Sequence, residues 1–365
     1  MPSNKKKVLF TSHTANFQKF NRPFMRMLRE QGYEVHYASM GEEQIEDCDK
    51  QFVVPFTRSP FTLSNVRAYR QLKEIIDHEQ YDLIHTHTPV GSVVTRLAAR
   101  QARQRGTRVI YTAHGFHFFT GAPLLNWLVY YPIERLMAHY TDVLITINAE
   151  DYARANRHFA TSVVYVPGVG VDLTVYKSLT KREKQHLRQE YGFHKNDFIL
   201  IYAAELNKNK NQGFLIRMMT HLLKTVPTAK LVLCGVGSKE QQYKAFAQQL
   251  GVADHVKFMG YRRDMPQLLG ISDVSVSASG REGLPVNVLE AASVGLPVVA
   301  LPCRGIQDIA QQTPLVQMMP DRDTKRMADV LASIATSEAD TSVQKVDLSR
   351  YETHSIKKMM ERIYE

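Results

Sequence analysis

Strand-like and helix-like patterns alternate along this chain from one end to the other, and that alternation admits few folds. Short runs rich in β-branched and aromatic residues fall at 8–11, 34–38, 52–54, 83–86, 109–112, 143–147 and 163–166. Longer amphipathic stretches at 17–31, 65–78, 91–105 and 124–139 separate them. Strands that alternate with helices of this length pair in parallel through crossovers, so the pattern predicts parallel α/β sheets. A Pro/Gly-rich hinge at 166–172 interrupts it. The alternation then restarts, with strands expected at 198–203, 231–234, 256–259, 274–277 and 298–300 and helices at 210–225 and 239–250. At 365 residues the chain is long for one core, which points to two domains.

The second set contains the most informative motif, Arg-Glu-Gly-Leu-Pro-Val-Asn-Val-Leu-Glu-Ala at 281–291. Two carboxylates, Glu282 and Glu290, stand eight positions apart with Gly283 and Pro285 between them. A helix over 285–294, with Pro285 in its first turn, leaves Glu282 in the preceding loop and Glu290 inside the helix. The free amides of that first turn, at Leu284 to Val286, offer a partial positive charge to a phosphate. Glu282 can accept hydrogen bonds from a polyol and Glu290 from a second hydroxyl pair. Phosphate, sugar hydroxyls and ribose hydroxyls together describe a nucleotide-sugar. Exposed glutamates eight apart are ordinary on a solvated helix, but here Val286, Val288, Leu289, Ala291 and Ala292 make the segment apolar and a strand follows at once.

With this motif go Tyr-Thr-Ala-His-Gly-Phe-His-Phe-Phe at 111–119, Val-Pro-Gly-Val-Gly-Val-Asp at 166–172 and Glu-Leu-Asn-Lys-Asn-Lys-Asn at 205–211. Through them nearly the whole chain resembles the retaining family 4 glycosyltransferases. The stretch 121–151 resembles the bacterial capsule and exopolysaccharide branch. The resemblance implies the GT-B fold: two facing Rossmann-like domains with a cleft between them and a C-terminal helix crossing back to the first. The expected division is 1–170 plus 352–365 for the acceptor side and 171–351 for the nucleotide-sugar side. It further implies that Glu282 contacts the transferred sugar, Glu290 the ribose, His114 the donor sugar and Lys210 the diphosphate. Gly283, Leu284, Pro285 and Val286 complete the donor loop, and His13 and His117 are acceptor-side candidates. Family members commonly carry Arg five residues before the lysine. Glu205 stands there instead, so either one cation is missing or Lys208 or Arg262 substitutes for it. Paired glycines common after the first strand are replaced by Ser12-His13-Thr14-Ala15-Asn16.

Other patterns carry less. His85-Thr-His87 has a metal-clamp spacing, but Pro89 is expected to end the strand, which leaves loop histidines facing a cleft and no metal. Gly235-Val-Gly237 lacks the third glycine of a dinucleotide fingerprint and reads as a tight turn. No phosphate-binding P-loop pattern is present. Cys48, Cys234 and Cys303 are far apart, as expected of free thiols in a reducing cytosol. No apolar run approaches the roughly 18–20 residues that span a bilayer, and the N-terminal basic residues precede only a short apolar strand, unlike a signal peptide.

The net charge of +10 is shared evenly between the halves either side of residue 170 and asks for an anionic partner. Arg96, Arg100, Arg103, Arg105 and Arg108 lie in a stretch without an acid, and Lys19, Arg22, Arg26 and Arg29 recur at helical spacing. They read either as solvated helix faces or as contacts to anionic lipid or a lipid-linked diphosphate. No nucleic-acid motif appears. The chain is thus expected to be a cytoplasmic hexosyltransferase, peripheral on the inner face of the membrane and without a cofactor. Its acceptor is expected to be a lipid-diphosphate-linked saccharide. A nucleotide-sugar 2-epimerase on the same fold and a non-catalytic polyanion-binding protein are the rival readings.

Overall fold

The computed structural model describes residues 5–59, 62–337 and 346–365. The stretch 335–343, a polar connector by its composition, lies outside the described residues from 338 on, as do the first four residues of the basic N-terminal stretch. Two compact units are present, Met1–Gly170 with Thr353–Glu365, and Val171–Glu352. Glu352, assigned from sequence to the first unit, bridges to Val171 in the second.

The first unit holds β1 (Lys7–Thr11), β2 (Glu34–Ser39), β3 (Lys50–Val53), β4 (Leu83–His87), β5 (Arg108–Ala113), β6 (Val143–Thr146) and β7 (Ser162–Tyr165). They form one parallel sheet in the order β3-β2-β1-β4-β5-β6-β7. Its helices are α1 (Gln18–Glu30), α2 (Leu63–Glu79), α3 (Pro89–Ala98), α4 (Arg100–Gln104), α5 (Leu124–Ala138) and α6 (Ala149–His158). The single helix expected over 91–105 is divided at Ala99. Alternation along β1 sends Val8 and Phe10 to one core, with Met25 and Leu28 of α1, and Leu9 to the other, with Ala68 and Leu72 of α2.

The second unit begins with α7 (Lys181–Glu190), β8 (Phe198–Ala203), α8 (Gln212–Leu222), β9 (Ala229–Cys234), α9 (Glu240–Gln249) and β10 (Val256–Gly260). It continues with α10 (Met265–Ile271), β11 (Val274–Ser277), α11 (Val286–Ser293), β12 (Val298–Ala300), α12 (Arg304–Ala310), β13 (Val316–Met318) and α13 (Thr324–Thr336). The parallel sheet runs β10-β9-β8-β11-β12-β13. β13, α7, α10, α12 and α13 were not expected from the sequence. The last helix, α14 (Thr353–Tyr364), belongs to the first unit, where Ile356, Met360 and Ile363 join the core beside α1.

Sheet order positions the sites. In the first unit the chain reverses direction across the sheet between β1 and β4, and in the second between β8 and β11. At such a switch point the loops leaving neighbouring strands part, opening a crevice at the carboxyl ends where ligands of open α/β sheets bind.

Candidate active site

In the second unit the crevice lies between the loop after β8 (204–211) and the loop after β11 (278–285), and hydrogen bonds tie the two. Gly280 N donates to the Asn209 carbonyl at 2.8 Å, and Asn209 Nδ2 donates to the Arg281 carbonyl at 3.0 Å. Below them the Tyr202 hydroxyl meets Ser279 Oγ at 2.7 Å in the core. Lys210 Nζ then donates to Glu282 Oε1 at 2.5 Å, with both side chains largely buried. Lys210 lies in the turn before α8 rather than opening the helix, because Asn211 takes a left-handed conformation (φ 54°) and caps it.

The Glu282–Pro285 backbone rests on the start of α12. Glu282 N donates to Cys303 Sγ at 2.9 Å, and Arg304 Nε donates to the Glu282 carbonyl at 3.2 Å. A Cβ on Gly305 would stand 2.2 Å from the Gly283 carbonyl, so only glycine admits this approach. Pro285 caps α11 in an extended conformation, one residue ahead of its expected place in the first turn. In the first turn of α11 Val288 N donates to the Pro285 carbonyl at 3.2 Å, while the amides of Val286 and Asn287 precede any acceptor within the helix. Further along α11, Glu290 Oε1 accepts from the Tyr176 hydroxyl at 2.6 Å. Burial and the Glu290 carboxylate together raise the Tyr176 pKa.

Two candidates stand apart from this cluster. Glu205 is exposed, and its carboxylate pairs with no cation among the described residues, neither Lys208 nor Lys210. Arg262 is held by Asp264, through Nε to Oδ1 at 2.9 Å and NH2 to Oδ2 at 2.5 Å, and that pair brings the Asp264 pKa down to about 2. A guanidinium so engaged is a poor replacement for the missing arginine. Gly235 and Gly237 serve loop packing: a Cβ on either would fall within 2.4 Å of the Ala204 or Leu206 carbonyl.

At the first unit's switch point, His13 N donates to Thr88 Oγ1 at 3.2 Å, and His13 Nε2 accepts from Arg58 Nε at 2.9 Å. Burial, then the Arg58 charge, lowers the His13 pKa. Thr88 is strained at φ 67°, where β-branched residues are rare. His85 and His87 are not loop residues. β4 runs through His87, and alternation turns both inward, where they are buried. His85 Nδ1 meets the Tyr364 hydroxyl and its Nε2 meets Thr112 Oγ1, each at 2.8 Å. His87 Nδ1 lies 3.1 Å from His114 Nε2, while His87 Nε2 has no partner among the described residues. Among those residues no cluster of three metal-ligating side chains is present. Burial pushes the His114 pKa down to about 4, so its imidazole is neutral at pH 7. Phe17 packs edge-on against it, ring centres 4.7 Å apart. His117 stacks on Tyr130 at 4.5 Å.

Most of the cations expected to face an anionic surface are engaged within the protein. Arg96 is 1% exposed, donates to Glu134 at 2.8 Å and lies 4.2 Å over the Tyr111 ring. Arg103 pairs with Asp142, Arg105 with Asp77, Arg22 and Arg26 with Asp47, and Arg29 with Asp49. Sequence reasoning missed these carboxylates, and it missed Tyr176, Asn209, Cys303 and Arg304 around the 281–291 motif. None carries a local signal, because each partner comes from another element.

Two parallel α/β units are present, each with a switch point in its sheet order. Residues 7–148 match the family described as Glycosyl transferase 4-like, and residues 183–342 match Glycosyl transferases group 1. The chain is 45% identical over 307 residues to "Putative glycosyltransferase EpsD" of Bacillus subtilis (strain 168), covering 83% of this chain and 81% of that one. It is 26% identical over 264 residues to the UDP-Gal:alpha-D-GlcNAc-diphosphoundecaprenol alpha-1,3-galactosyltransferase of Escherichia coli, covering 70% and 67%. Among solved structures, Anabaena Alr3699/HepE in complex with UDP-glucose superposes with a TM-score of 0.75 at 20% identity, over 98% of this chain and 99% of that one. The chain belongs to glycosyltransferase family 4 and has the GT-B fold.

Proposed function

We propose that the chain transfers a hexose or N-acetylhexosamine, with retention, from a UDP-sugar to a lipid-diphosphate-linked saccharide in cell-surface polysaccharide synthesis. The observation that carries this reading is the Lys210–Glu282 pair at the second unit's switch point, directly ahead of the first turn of α11. A diphosphate entering there competes with Glu282 for the Lys210 ammonium and receives the first-turn amides. The displaced Glu282 carboxylate is then free to accept hydrogen bonds from the sugar. Glu290, oriented by Tyr176, accepts from the ribose hydroxyls.

As the bond from the anomeric carbon to the phosphate oxygen breaks, negative charge grows on the diphosphate. Lys210 and the amides stabilise it without reorganising, usually the largest catalytic contribution. The acceptor hydroxyl attacks from the same face, and its proton passes to the departing phosphate oxygen. These groups supply the positive charge without a metal. In the first unit, His114 is assigned as a neutral hydrogen-bonding group for a sugar, with His13 and His117 as acceptor-side groups.

The UDP and UDP-glucose complexes of HepE and the diphosphoundecaprenol named for the Escherichia coli relative support this choice of donor and acceptor class. Among the described residues no helix is long and apolar enough to cross a membrane; we propose that the protein reaches a lipid-linked acceptor by peripheral association with the inner leaflet. A thermal-shift panel of nucleotide-sugars tests the reading. A cognate ligand at 100 times its Kd stabilises by about 2.7 kcal/mol. No response to any uridine nucleotide would refute it. Conversion of donor alone to an epimer would establish the 2-epimerase instead, and polyanion binding without saturable nucleotide binding the non-catalytic role.

A further inference from the structure

In the first unit, α2, α3 and α5 enclose a groove of about 440 Å³, lined by Val66, Tyr69, Val90, Val93, Leu97 and Ile133. Its apolar lining continues onto the surface. Leu125, Val129 and Ile133 follow one another at a spacing of four on α5, which places them along one side of the helix. Leu63 leads into Val66 and Tyr69 at a spacing of three on α2. Leu63, Leu124, Leu125 and Leu128 are 83, 73, 68 and 66% exposed, far more than a monomer's core leaves in water. α5 is therefore apolar on both sides: Met137 and Ala138 are buried, while Leu124, Leu125, Leu128 and Leu136 face solvent. A helix of that kind ordinarily meets apolar material on each side.

The charges beside the groove select the partner. Arg67 and Arg70 on α2, Arg100 on α4 and Arg135 on α5 are exposed and have no carboxylate partner among the described residues. Glu134, which lines the groove, is occupied by Arg96 and Tyr111. Of the exposed side chains on α2 to α5 among the described residues, Glu74 is the one carboxylate. A two-fold contact with a second copy would oppose this cationic face to itself. An anionic leaflet offers acyl chains to the leucines and phosphates to the arginines, as in interfacial helix binding.

We propose that the α2–α3–α5 face docks on an anionic phospholipid bilayer, with the leucines at the start of α5 among the acyl chains and one acyl chain in the groove. The proposal rests on the reading that the acceptor is lipid-linked, and of the Arg96–Arg108 stretch it keeps only Arg100 in the membrane contact.

The test is co-sedimentation of the full chain with vesicles, without donor or acceptor. Vesicles of phosphatidylglycerol and phosphatidylcholine should bind the protein, pure phosphatidylcholine should not, and binding should fall with salt. Leu125→Asp/Leu128→Asp should reduce partitioning at least tenfold. Arg67→Glu/Arg70→Glu should do the same, at roughly fivefold or more per arginine. All four side chains are solvent-exposed, so thermal midpoints should stay near wild type. Lys181→Glu/Arg182→Glu, the same charge change on the second unit, should stay within twofold. Wild-type binding blind to lipid charge, undiminished binding by the leucine variant, or equal loss in the control would overturn the proposal. So would a wild-type dimer in sedimentation velocity that the leucine variant abolishes while vesicle binding is absent. UDP affinity, measured separately, isolates failure of the transferase reading: its absence would refute that reading and leave the vesicle result standing.

Discussion

Replacing Glu282 by glutamine should separate nucleotide binding from transfer. Lys210 and Glu282 are hydrogen-bonded, with side chains 23 and 13% exposed, so the pair is partly open to solvent and its ions. A diphosphate that reaches Lys210 is therefore also placed near the Glu282 carboxylate. At about 6 Å and an effective dielectric near 20, each unit of phosphate charge is repelled by roughly 3 kcal/mol. Screening over a Debye length of about 8 Å roughly halves that, leaving about 1.4 kcal/mol, or tenfold in affinity. Glu282→Gln keeps the size and hydrogen-bonding capacity but removes the charge. It should bind UDP about tenfold more tightly while turnover falls about 10²-fold, because a neutral amide holds the sugar hydroxyls less well.

Lys210→Ala should do the reverse for binding. Losing one charge-assisted contact weakens UDP by roughly ten- to hundredfold, and losing one electrostatic stabiliser cuts turnover by about 10²-fold or more. Glu205→Gln is the control: an exposed carboxylate without a cation partner should change both by less than threefold. Isothermal titration with UDP and initial-rate measurements on the same preparations decide the matter. Unchanged UDP affinity in both Glu282→Gln and Lys210→Ala would remove Lys210 from the diphosphate site. A larger turnover loss in Glu205→Gln than in Lys210→Ala would place the reactive carboxylate at 205.

Further outcomes follow from other parts of the structure. Glu290→Ala should weaken UDP roughly ten- to hundredfold by losing charged hydrogen bonds to the ribose, and Tyr176→Phe several-fold, through loss of the 2.6 Å bond that orients Glu290. Wild-type affinity in folded Glu290→Ala would cancel the ribose assignment. Arg96→Met should destabilise the first unit by about 3–5 kcal/mol in urea because it leaves Glu134 charged and buried, and Arg96→Met/Glu134→Leu should recover most of that. Equal loss in the double variant would mean that packing, not the uncompensated charge, dominates. Burial depresses His85 to about 3, His114 to about 4 and His87 well below its usual value. The unfolded chain therefore binds more protons below pH 6.5, and first-unit stability should fall as pH drops from 6.5 toward 4, by roughly 1.4 kcal/mol per pH unit for each histidine. His87→Gln should make that slope shallower by about a third. An unchanged slope in urea midpoints against pH would show that His87 is not held neutral.

Local pattern carried much of the fold into view. The runs at 274–277 and 298–300 are strands because β-branched residues suit a pleated, two-sided buried sheet, and β11 and β12 occupy those residues. β13 was not legible, since three residues after a turn resemble a loop until a neighbouring strand pairs with them. The Glu282 and Glu290 motif was visible because its glycine, proline and apolar helix are contiguous. The arginine stretch misled for the opposite reason. One-dimensional charge shows no acid nearby, whereas Glu134 lies 38 residues further along and reaches Arg96 through helix packing.

By itself the sequence determined the alternation of strands and helices, the break between two sets of them at 166–172, and the residues gathered in the 281–291 motif. These depend on side-chain periodicity and backbone freedom, which act over a few residues. Tertiary structure alone decided that Lys210 meets Glu282, that Tyr176 orients Glu290, and that His87 meets His114 while Tyr364 meets His85. It also decided that Arg96 is buried while Leu125 is exposed. Those pairings depend on strand order and crossover direction, which bring together residues tens to hundreds of positions apart and set which cations are neutralised within the protein and which remain for a partner.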